Sequence, residues 1–290
     1  MSFHTVARVG GISAAAERLG MAKSGVSRHV AQLEDIFGVR LLERGARSVR
    51  LTPVGERLDD RIRSILAEID LLQDIAREES RGVSGQVTIA ATPEFGALVA
   101  TTLFPILRNL YPGLTLVMRP DYDFEDMQDP NTDLAFRVGT FKDDRLVALE
   151  LGGFQRVLVA APALLNQHSI GDPQELANVP CLTFRGDRPG ATWRFRSEDR
   201  ETQVNVDGQI AVRSFGILLQ LAIAGQGFAN LPDFMLGDAL KSGTLVHCLP
   251  EFTQRSNPVF LTFRPGARKI ARVAAVIEQA SKTIPDMLDI

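Results

Sequence analysis

The sequence predicts an α/β protein that consists of a small helical head, one long helix and a larger α/β body. In the head, residues 12–30 predict two short helices that cross closely, because small side chains lie where the helices would touch. Residues 53–81 predict the long helix, which carries a single apolar seam. From residue 86 onwards, β-prone runs alternate with helical runs, a pattern typical of parallel α/β sheets. A chain of 290 residues with 45% hydrophobic residues can bury two or three cores of this kind.

The two crossing helices of the head are predicted from the residues at their contact. Ala15 and Ala16 allow a close approach, and Gly20 can adopt the positive φ that the turn requires. The second helix is expected to bury Val26, Val30, Leu33 and Phe37. Its opposite face exposes Lys23, Ser24, Ser27 and Arg28. A short polar and basic helix face of this kind enters the major groove of DNA, so we expect double-stranded DNA as a partner.

The residues from Phe3 to Gly55 follow a known family pattern in register. The first half of the match comprises Phe3, Val6, Gly10, Ile12, Ser13, Ala15, Ala16, Leu19, Ser24, Val26 and Ser27. The second half comprises Leu33, Glu34, Phe37, Gly38, Val39, Leu41, Leu42, Arg44, Leu51, Thr52 and Gly55. On these residues the stretch resembles the N-terminal module of LysR-type transcriptional regulators, and a looser likeness extends over the rest of the chain. The resemblance implies a winged helix-turn-helix domain over residues 1–52, with the helix-turn-helix at about 12–31, that binds promoter DNA.

Basic and polar side chains of the head are the candidate DNA contacts. Those expected at base edges are Lys23, Ser24, Ser27, Arg28 and His29, with Ser13 of the matched motif beside them. Two β-prone runs around a glycine-containing turn predict a wing. The wing would reach phosphates or a minor groove with Arg44, Arg47 and Arg50.

The alternatives for these residues are structural. Arg28 could be solvated, and His29 could bond only water or a phosphate. Ala22 stands where the family usually has Ser or Thr, so Ser24 is the candidate first residue of the second helix. Lys23 stands where Gln is common, and the family's base preference therefore does not carry over. Relatives usually have several residues before the position of Phe3, so the first helix is expected to be short here; the alternatives are that the native start lies upstream of Met1 or that this protein tolerates a trimmed helix.

The long helix has a clear start and a regular apolar seam. Thr52 and Pro53 are suited to be its N-cap and first helical residue. The seam, with alternating steps of four and three, comprises Leu58, Ile62, Ile65, Ile69 and Leu72. Such a heptad pattern suits pairing with a second chain, which predicts a linker and dimerisation helix over 53–81. A homodimer, or a homotetramer as in relatives, is expected; the alternative is that the helix packs against its own protein.

The body, residues 86–290, resembles the two-lobed, Rossmann-like effector domain of the family, which is similar to periplasmic solute-binding proteins. β-prone runs lie at 87–91, 114–118, 133–139, 156–161, 181–185, 228–232 and 258–263. By the resemblance, the chain crosses between lobes near Gly153 and returns near Gln254. Lobe 1 is expected at about 86–153 and 255–290, and lobe 2 at about 154–254.

The resemblance places a small-molecule effector in the cleft between the lobes, beyond the carboxyl ends of the strands. The residues expected on lobe 1 are Thr92, Pro93, Glu94, Phe95, Arg137 and Gly139. Those expected on lobe 2 are Arg185, Arg213, Ser214 and Phe215. Family effectors are often small carboxylates, which Arg185 or Arg213 could bind bidentately. Glu94 would oppose an anion unless it pairs with an arginine, so an amine-bearing or neutral polar effector stays open.

Charge separates the head from the body. Residues 1–58 hold nine Lys or Arg and five Asp or Glu, a net charge of +4, so the remaining residues sum to −7 within the total of −3. A basic head on an acidic body suits DNA at one end and a different partner at the other. RNA polymerase is a further candidate partner. The chain has neither an apolar run of the roughly 18 residues that span a membrane nor a signal peptide, so we expect a cytoplasmic protein without membrane contact.

Three other functions are weighed against this one. An enzyme would need a catalytic motif, but Gly225-Gln226-Gly227 lacks the third glycine of a dinucleotide site and precedes a strand. The four histidines show no metal-ligand spacing, and we expect neither catalysis nor a metal or cofactor. A transport binding protein would not need the basic head. A redox-responsive regulator using Cys181 and Cys248 is the alternative, although both lie in apolar runs, where a thiol is inert.

Overall fold

The structure, a computed structural model, describes residues 1–44, 49–62, 65–66, 69, 82–122, 131–140, 143–184, 191–197, 200–254 and 256–288. The chain divides into two compact units, Met1–Ser80 and Arg81–Ile290. The elements of the first unit are α1 (Ser2–Val9), α2 (Ile12–Leu19), α3 (Lys23–Phe37), β1 (Leu42–Arg44), β2 (Val49–Leu51) and α4 (53–62, with residues 65, 66 and 69 also helical). No helix within these described ranges, in either unit, is long and apolar enough to cross a membrane.

The three helices of the head enclose one small core. Its fully or nearly fully buried side chains are Phe3, Val6, Ala15, Ala16, Val26, Val30, Leu41 and Leu42. Gly20 ends α2 with φ +62°, as the turn requires. The prediction that Phe37 is buried is wrong, because its side chain is 52% exposed. The helix ends at Phe37 with Gly38 as its C-cap, and Leu41 and Leu42, which follow the turn, contribute to the core.

The wing and the start of α4 are joined to the head by backbone hydrogen bonds. β1 and β2 form an antiparallel hairpin in which Leu42 pairs with Leu51. The carboxylate of Glu34 accepts hydrogen bonds from Leu41 N–H (2.7 Å) and Leu42 N–H (3.1 Å), which fixes the turn between α3 and β1. Helix α4 begins at residue 53, where the sequence predicts it, and Thr52 caps it by accepting from Gly55 N–H at 3.0 Å.

The first half of the second unit forms one sheet and its helices. These elements are β3 (Ser84–Ala91), α5 (Pro93–Leu110), β4 (Gly113–Pro120), β5 (Leu134–Val138) and β6 (Val147–Phe154), joined from the end of the chain by β14 (Asn257–Phe263), α9 (Ala271–Thr283) and α10 (Pro285–Leu288). The strand order is β4-β3-β5-β14-β6. We call this part lobe 1; its core lies between the sheet and the helices α5 and α9.

The intervening chain forms lobe 2 around a second sheet. Its elements are β7 (Arg156–Ala160), α6 (Pro162–Leu165), β8 (Cys181–Phe184), β9 (Ala191–Arg196), β10 (Glu201–Val206), β11 (Ile210–Val212), α7 (Phe215–Ile223), β12 (Phe228–Pro232), α8 (Gly237–Lys241) and β13 (Val246–His247). The strand order is β11-β8-β12-β7-β13, and β9 and β10 form a separate hairpin. The chain leaves lobe 1 between Phe154 and Arg156 and enters it again at Asn257.

Both main sheets are mixed, which corrects the prediction of parallel sheets. β3 runs parallel to β4 and β5, but β14 runs antiparallel to β5 and β6. In lobe 2, β12 is parallel to β8 and antiparallel to β7. The reversed strands are those next to the two crossings, where the chain enters a sheet from the other lobe instead of through a preceding helix. Such strands are not preceded by a β-α-β crossover within their own sheet, which is the connection that joins parallel strands.

Candidate functional sites

Helix α3 presents most of its predicted DNA contacts on an open surface. Lys23, Ser24 and Arg28 are exposed, while Ser27 is half-buried. Ser13, in the first turn of α2, is also exposed. The prediction that Ser24 starts the helix is wrong, because the N-cap is Ala22, which makes no side-chain cap. Ser24 is therefore not used as a cap and keeps its hydroxyl on the surface.

The exposed side chain of His29 also makes a contact within the head. Its Nδ1 lies 2.9 Å from the hydroxyl of Ser2, so the imidazole links α3 to the start of α1. Only the opposite ring nitrogen is left for a base or a phosphate. The exposed side chain of Arg50 extends from β2 of the wing. Arg47, together with the side chain of Arg44, lies outside the described residues.

The apolar seam of α4 divides into two parts with different surroundings. Leu58 and Ile62 are half-buried and pack against the core of the head. Ile65 and Ile69 are 56% and 45% exposed. The first turns of the seam thus meet their own head, which was the alternative weighed against dimerisation for the whole helix. Leu72 lies outside the described residues.

The two lobes of the second unit are bridged by the carboxylate of Glu94. Glu94 lies in the first turn of α5 in lobe 1, and its Oε1 accepts from Gly216 N–H (2.9 Å) and the Ser214 hydroxyl (3.1 Å) of lobe 2. From lobe 1, the Tyr122 hydroxyl lies 2.6 and 2.5 Å from the two carboxylate oxygens. We call these four residues the Glu94 clasp. Burial, followed by the hydrogen bond and the negative charge of Glu94, raises the pKa of Tyr122 well above its ordinary value.

Aromatic and cationic side chains surround the Glu94 clasp. The Tyr122 ring meets Phe184 of lobe 2 edge-on at 5.4 Å, and Phe184 stacks on Phe215 at 4.2 Å. The guanidinium of Arg156 lies 5.0 Å from the centre of the Phe215 ring, and that of Arg213 lies 6.0 Å from the centre of the Tyr122 ring. Desolvation lowers the pKa of the Arg156 guanidinium, which stays cationic at neutral pH.

The other predicted cleft residues differ in their surroundings. Phe95 is 1% exposed and packs against Phe136 and Phe234 at 5.7 and 5.8 Å, so its assignment as an effector contact is corrected: its ring belongs to the core of lobe 1. Thr92 and Pro93 are half-buried at the start of α5. The remaining predicted effector contacts of lobe 1, Arg137 and Gly139, are half-buried at the end of β5. Arg185 lies outside the described residues.

Lobe 2 also reaches into lobe 1 through Phe234. This ring lies in a 3₁₀ turn (Asp233–Met235), yet it packs edge-on against Phe154 (5.1 Å) and Phe95 of lobe 1. Asp233 supports the turn, since its carboxylate accepts from Gln155 N–H at 2.9 Å where the chain crosses between lobes. Burial raises the pKa of Asp233 despite these backbone hydrogen bonds.

Family comparison decides how these two units are interpreted. Residues 1–56 match the model of the bacterial regulatory helix-turn-helix protein, lysR family, and residues 80–284 match the LysR substrate binding domain. The chain is a LysR-type transcriptional regulator. It is therefore a DNA-binding transcriptional regulator, and its second unit is an effector-binding domain.

Individual relatives of this LysR-type regulator align over most of its length. It is 30% identical to the HTH-type transcriptional regulator DmlR of Escherichia coli K12, over 88% of this chain and 84% of the relative. It is 29% identical to PtxR of Pseudomonas aeruginosa, over 96% and 89%. Two solved structures share the fold. They are the full-length virulence activator AphB of Vibrio cholerae (TM-score 0.63, 23% identity, 97% and 96% coverage) and full-length LysG of Corynebacterium glutamicum with bound effector Arg (TM-score 0.64, 19% identity, 98% and 97% coverage).

The two cysteines of this LysR-type regulator lie in the core of lobe 2. Burial raises the pKa of Cys181 to about 12 and that of Cys248 to about 11. Both are free and buried. Because the thiolate is the reactive form of cysteine, a raised pKa makes these thiols less reactive at neutral pH.

Sequence reasoning about this LysR-type regulator missed Tyr122, Gly216 and Phe234. Tyr122 could have been found, because β3 and β4 are parallel and the residues after their carboxyl ends meet at one edge of the sheet. Gly216 contributes only its backbone N–H, and such a contact cannot be predicted from the residue type. Phe234 comes shortly after the buried strand β12, and nothing in the sequence around it distinguishes it from an ordinary core residue.

Proposed function

We propose that this protein is an effector-responsive, dimeric regulator that reads an inverted repeat in promoter DNA with α3. The observation that carries this proposal is the exposed polar and basic face formed by Lys23, Ser24 and Arg28 on a helix whose opposite face is buried. Ser27, Ser13 and the exposed side of His29 border that face. A pair of heads related by twofold symmetry would place two such helices in successive major grooves.

The contacts are proposed to divide into two kinds. Arg28 and Lys23 are suited to guanine edges, where a bidentate contact discriminates between bases. Arg50, and with it Arg44 and Arg47, are suited to phosphates or a narrow minor groove, which adds affinity with little sequence information. Ile65 and Ile69 are proposed to pair the two chains, continued by Leu72, while Leu58 and Ile62 anchor α4 to its own head.

The effector is proposed to bind in the cleft lined by Thr92, Pro93, Arg137, Gly139, Arg185, Arg213, Ser214 and Phe215. Half-buried positions on both lobes support this, since a ligand that touches both lobes can shift their relative arrangement. A shift passed to the paired heads would change their spacing on DNA and the access of RNA polymerase. In this proposal the protein works in the cytoplasm without catalysing a reaction. The buried thiols argue against a redox signal.

Selection from a random double-stranded DNA library by the full-length protein tests the DNA contacts. We expect an inverted repeat, and we expect Arg28→Ala to weaken binding to it about 10-fold or more and to relax the selected sequence at one position of each half-site. Arg50→Ala should weaken binding to all sequences alike and reduce the salt dependence. The control is Arg194→Ala, an exposed arginine of β9. Selection of no sequence, or equal effects of Arg28→Ala and Arg194→Ala, would overturn the proposal.

A further inference from the structure

The Glu94 clasp places a carboxylate of the chain itself at the beginning of helix α7. The N terminus of a helix offers unpaired N–H groups and a partial positive charge, both of which favour an anion. Here the N–H of Gly216 and the hydroxyl of the N-cap Ser214 are directed at Glu94 Oε1, at 2.9 and 3.1 Å. The Ser214 hydroxyl uses its proton for Glu94 while accepting from Ile217 N–H at 3.2 Å.

The remaining surroundings of the carboxylate also suit a bound anion. The Tyr122 hydroxyl donates to it from lobe 1, so donors from both lobes converge on one group. Hydrogen bonds to an ionised acceptor are stronger than those between neutral groups. The edge-on contact of Tyr122 with Phe184 closes the same gap between lobes beside the carboxylate.

We propose that Glu94 is a built-in ligand of the cleft: its carboxylate fills the anion position at the beginning of α7 and holds the two lobes together. This inference rests on the proposed role of the cleft as the effector site. It assigns Glu94 a role in specificity, because a small carboxylate can take this position only by displacing Glu94. Effectors that approach the Glu94 clasp with a hydroxyl, ammonium or guanidinium group meet no such competitor.

Chemical rescue by acetate tests the inference in the full-length protein. Glu94→Ala keeps Cβ and removes a fragment of the size of acetate, so the vacated position should accept acetate from solution. We expect Glu94→Ala to lower the Tm of the effector-binding domain, and 100 mM sodium acetate to raise it again by about 3 °C relative to sodium chloride of equal ionic strength. Saturation-transfer NMR should show the acetate methyl group bound to Glu94→Ala and not to the wild type.

Two control variants separate this effect from simpler ones. Glu150→Ala removes an exposed glutamate from β6 of the same lobe and should leave the response to acetate as in the wild type. Glu94→Asp keeps a negative charge in the first turn of α5 but is one methylene shorter. It should therefore keep the favourable interaction with its own helix and still lower the Tm. An equal response to acetate in the wild type, Glu94→Ala and Glu150→Ala would overturn the inference.

A second measurement applies if Glu94→Ala does not fold. Glu94→Gln keeps the shape and removes the charge, so its neutral amide should bind the donors of the Glu94 clasp less strongly and lower the Tm of the effector-binding domain. A Tm equal to that of the wild type would show that the charge of Glu94 does not hold the two lobes together, which would also overturn the inference. Neither readout involves DNA. Binding of the same samples to the selected inverted repeat therefore tests the proposed function separately.

Discussion

A glycine at position 55 is required by the backbone around it. A Cβ at this position would lie 2.2 Å from the carbonyl oxygen of Leu41, which also accepts a hydrogen bond from Thr52 N–H at 3.0 Å. Because the carbonyl oxygen of Leu41 is a backbone atom, no side-chain rotation can move it away from the added Cβ. We expect Gly55→Ala to lower the free energy of unfolding of the head by about 1–3 kcal/mol, measured by denaturant titration of the full-length protein with circular dichroism.

Gly25 provides a control in the same unit with the opposite expected sign. It lies inside α3, where a Cβ would meet only Met21 Cε at 3.5 Å, an ordinary van der Waals contact. Alanine is a better helix former than glycine, so Gly25→Ala should stabilise the head by about 0.5–1 kcal/mol. If both substitutions shift the unfolding transition in the same direction, the steric role of Gly55 is wrong.

At this scale the sequence predicts positions better than contacts. It predicts that Glu94 follows a strand of lobe 1 and faces the cleft, and the only partner weighed for its carboxylate is an arginine. The hydrogen-bond partners of Glu94 are instead the hydroxyls of Tyr122 and Ser214 and the N–H of Gly216, which come from two distant segments of the chain. Which donors meet a carboxylate depends on how two lobes pack, and no local pattern carries that information.

Helices α1 and α4 are joined by a buried pair of polar side chains. His4 Nδ1 lies 2.7 Å from Asp59 Oδ1, and their side chains are 8% and 5% exposed. Asp59→Ala would leave a buried imidazole nitrogen without this acceptor, at an expected cost of about 1–3 kcal/mol in the stability of the head. Denaturant unfolding of the full-length protein measures it.

The neighbouring Glu56 is the control for this element. It is exposed on the same helix, so Glu56→Ala should change the free energy of unfolding by no more than about 0.5 kcal/mol. Asp59→Ala with an effect as small as that of Glu56→Ala would contradict a structural role for the His4–Asp59 pair. The two variants lie on one helix and both remove a carboxylate, so the difference between them reports the burial of Asp59 together with its contact with His4.

Elements are predictable from the sequence where a local pattern is strong. β12 lies at the predicted residues Phe228–Pro232, and β4 (Gly113–Pro120) contains the predicted run 114–118. The strand β6 and the hairpin of β9 and β10 lack a local pattern strong enough to predict them. The direction of β14 follows from the return of the chain after lobe 2, over a hundred residues downstream of β6. Such long-range order is set by the two crossings, so an alternating pattern of strands and helices suggests parallel sheets where mixed ones form.

For the whole molecule, the division of the α4 seam separates folding from assembly. Leu58 and Ile62 pack against the head, so charging them would unfold it. Ile65 and Ile69 are more than two-fifths exposed, and burial of such side chains between two copies would remove apolar surface from water without any change in the head. If Ile65 and Ile69 pair two chains as proposed, charging them is expected to disrupt assembly while each unit stays folded.

We expect the double substitution Ile65→Glu and Ile69→Glu to give a folded monomer that binds a single half-site weakly and the full inverted repeat no better. Like charges facing each other across a twofold axis would oppose the pairing that the apolar seam favours. Sedimentation velocity measures the oligomeric state, circular dichroism checks the fold, and gel shifts with one and two half-sites measure the binding. Leu240→Glu, at a 36% exposed position of α8, is the control for adding a charge at an apolar surface site. A double variant that stays dimeric and keeps full binding would place the dimer contact outside Ile65 and Ile69.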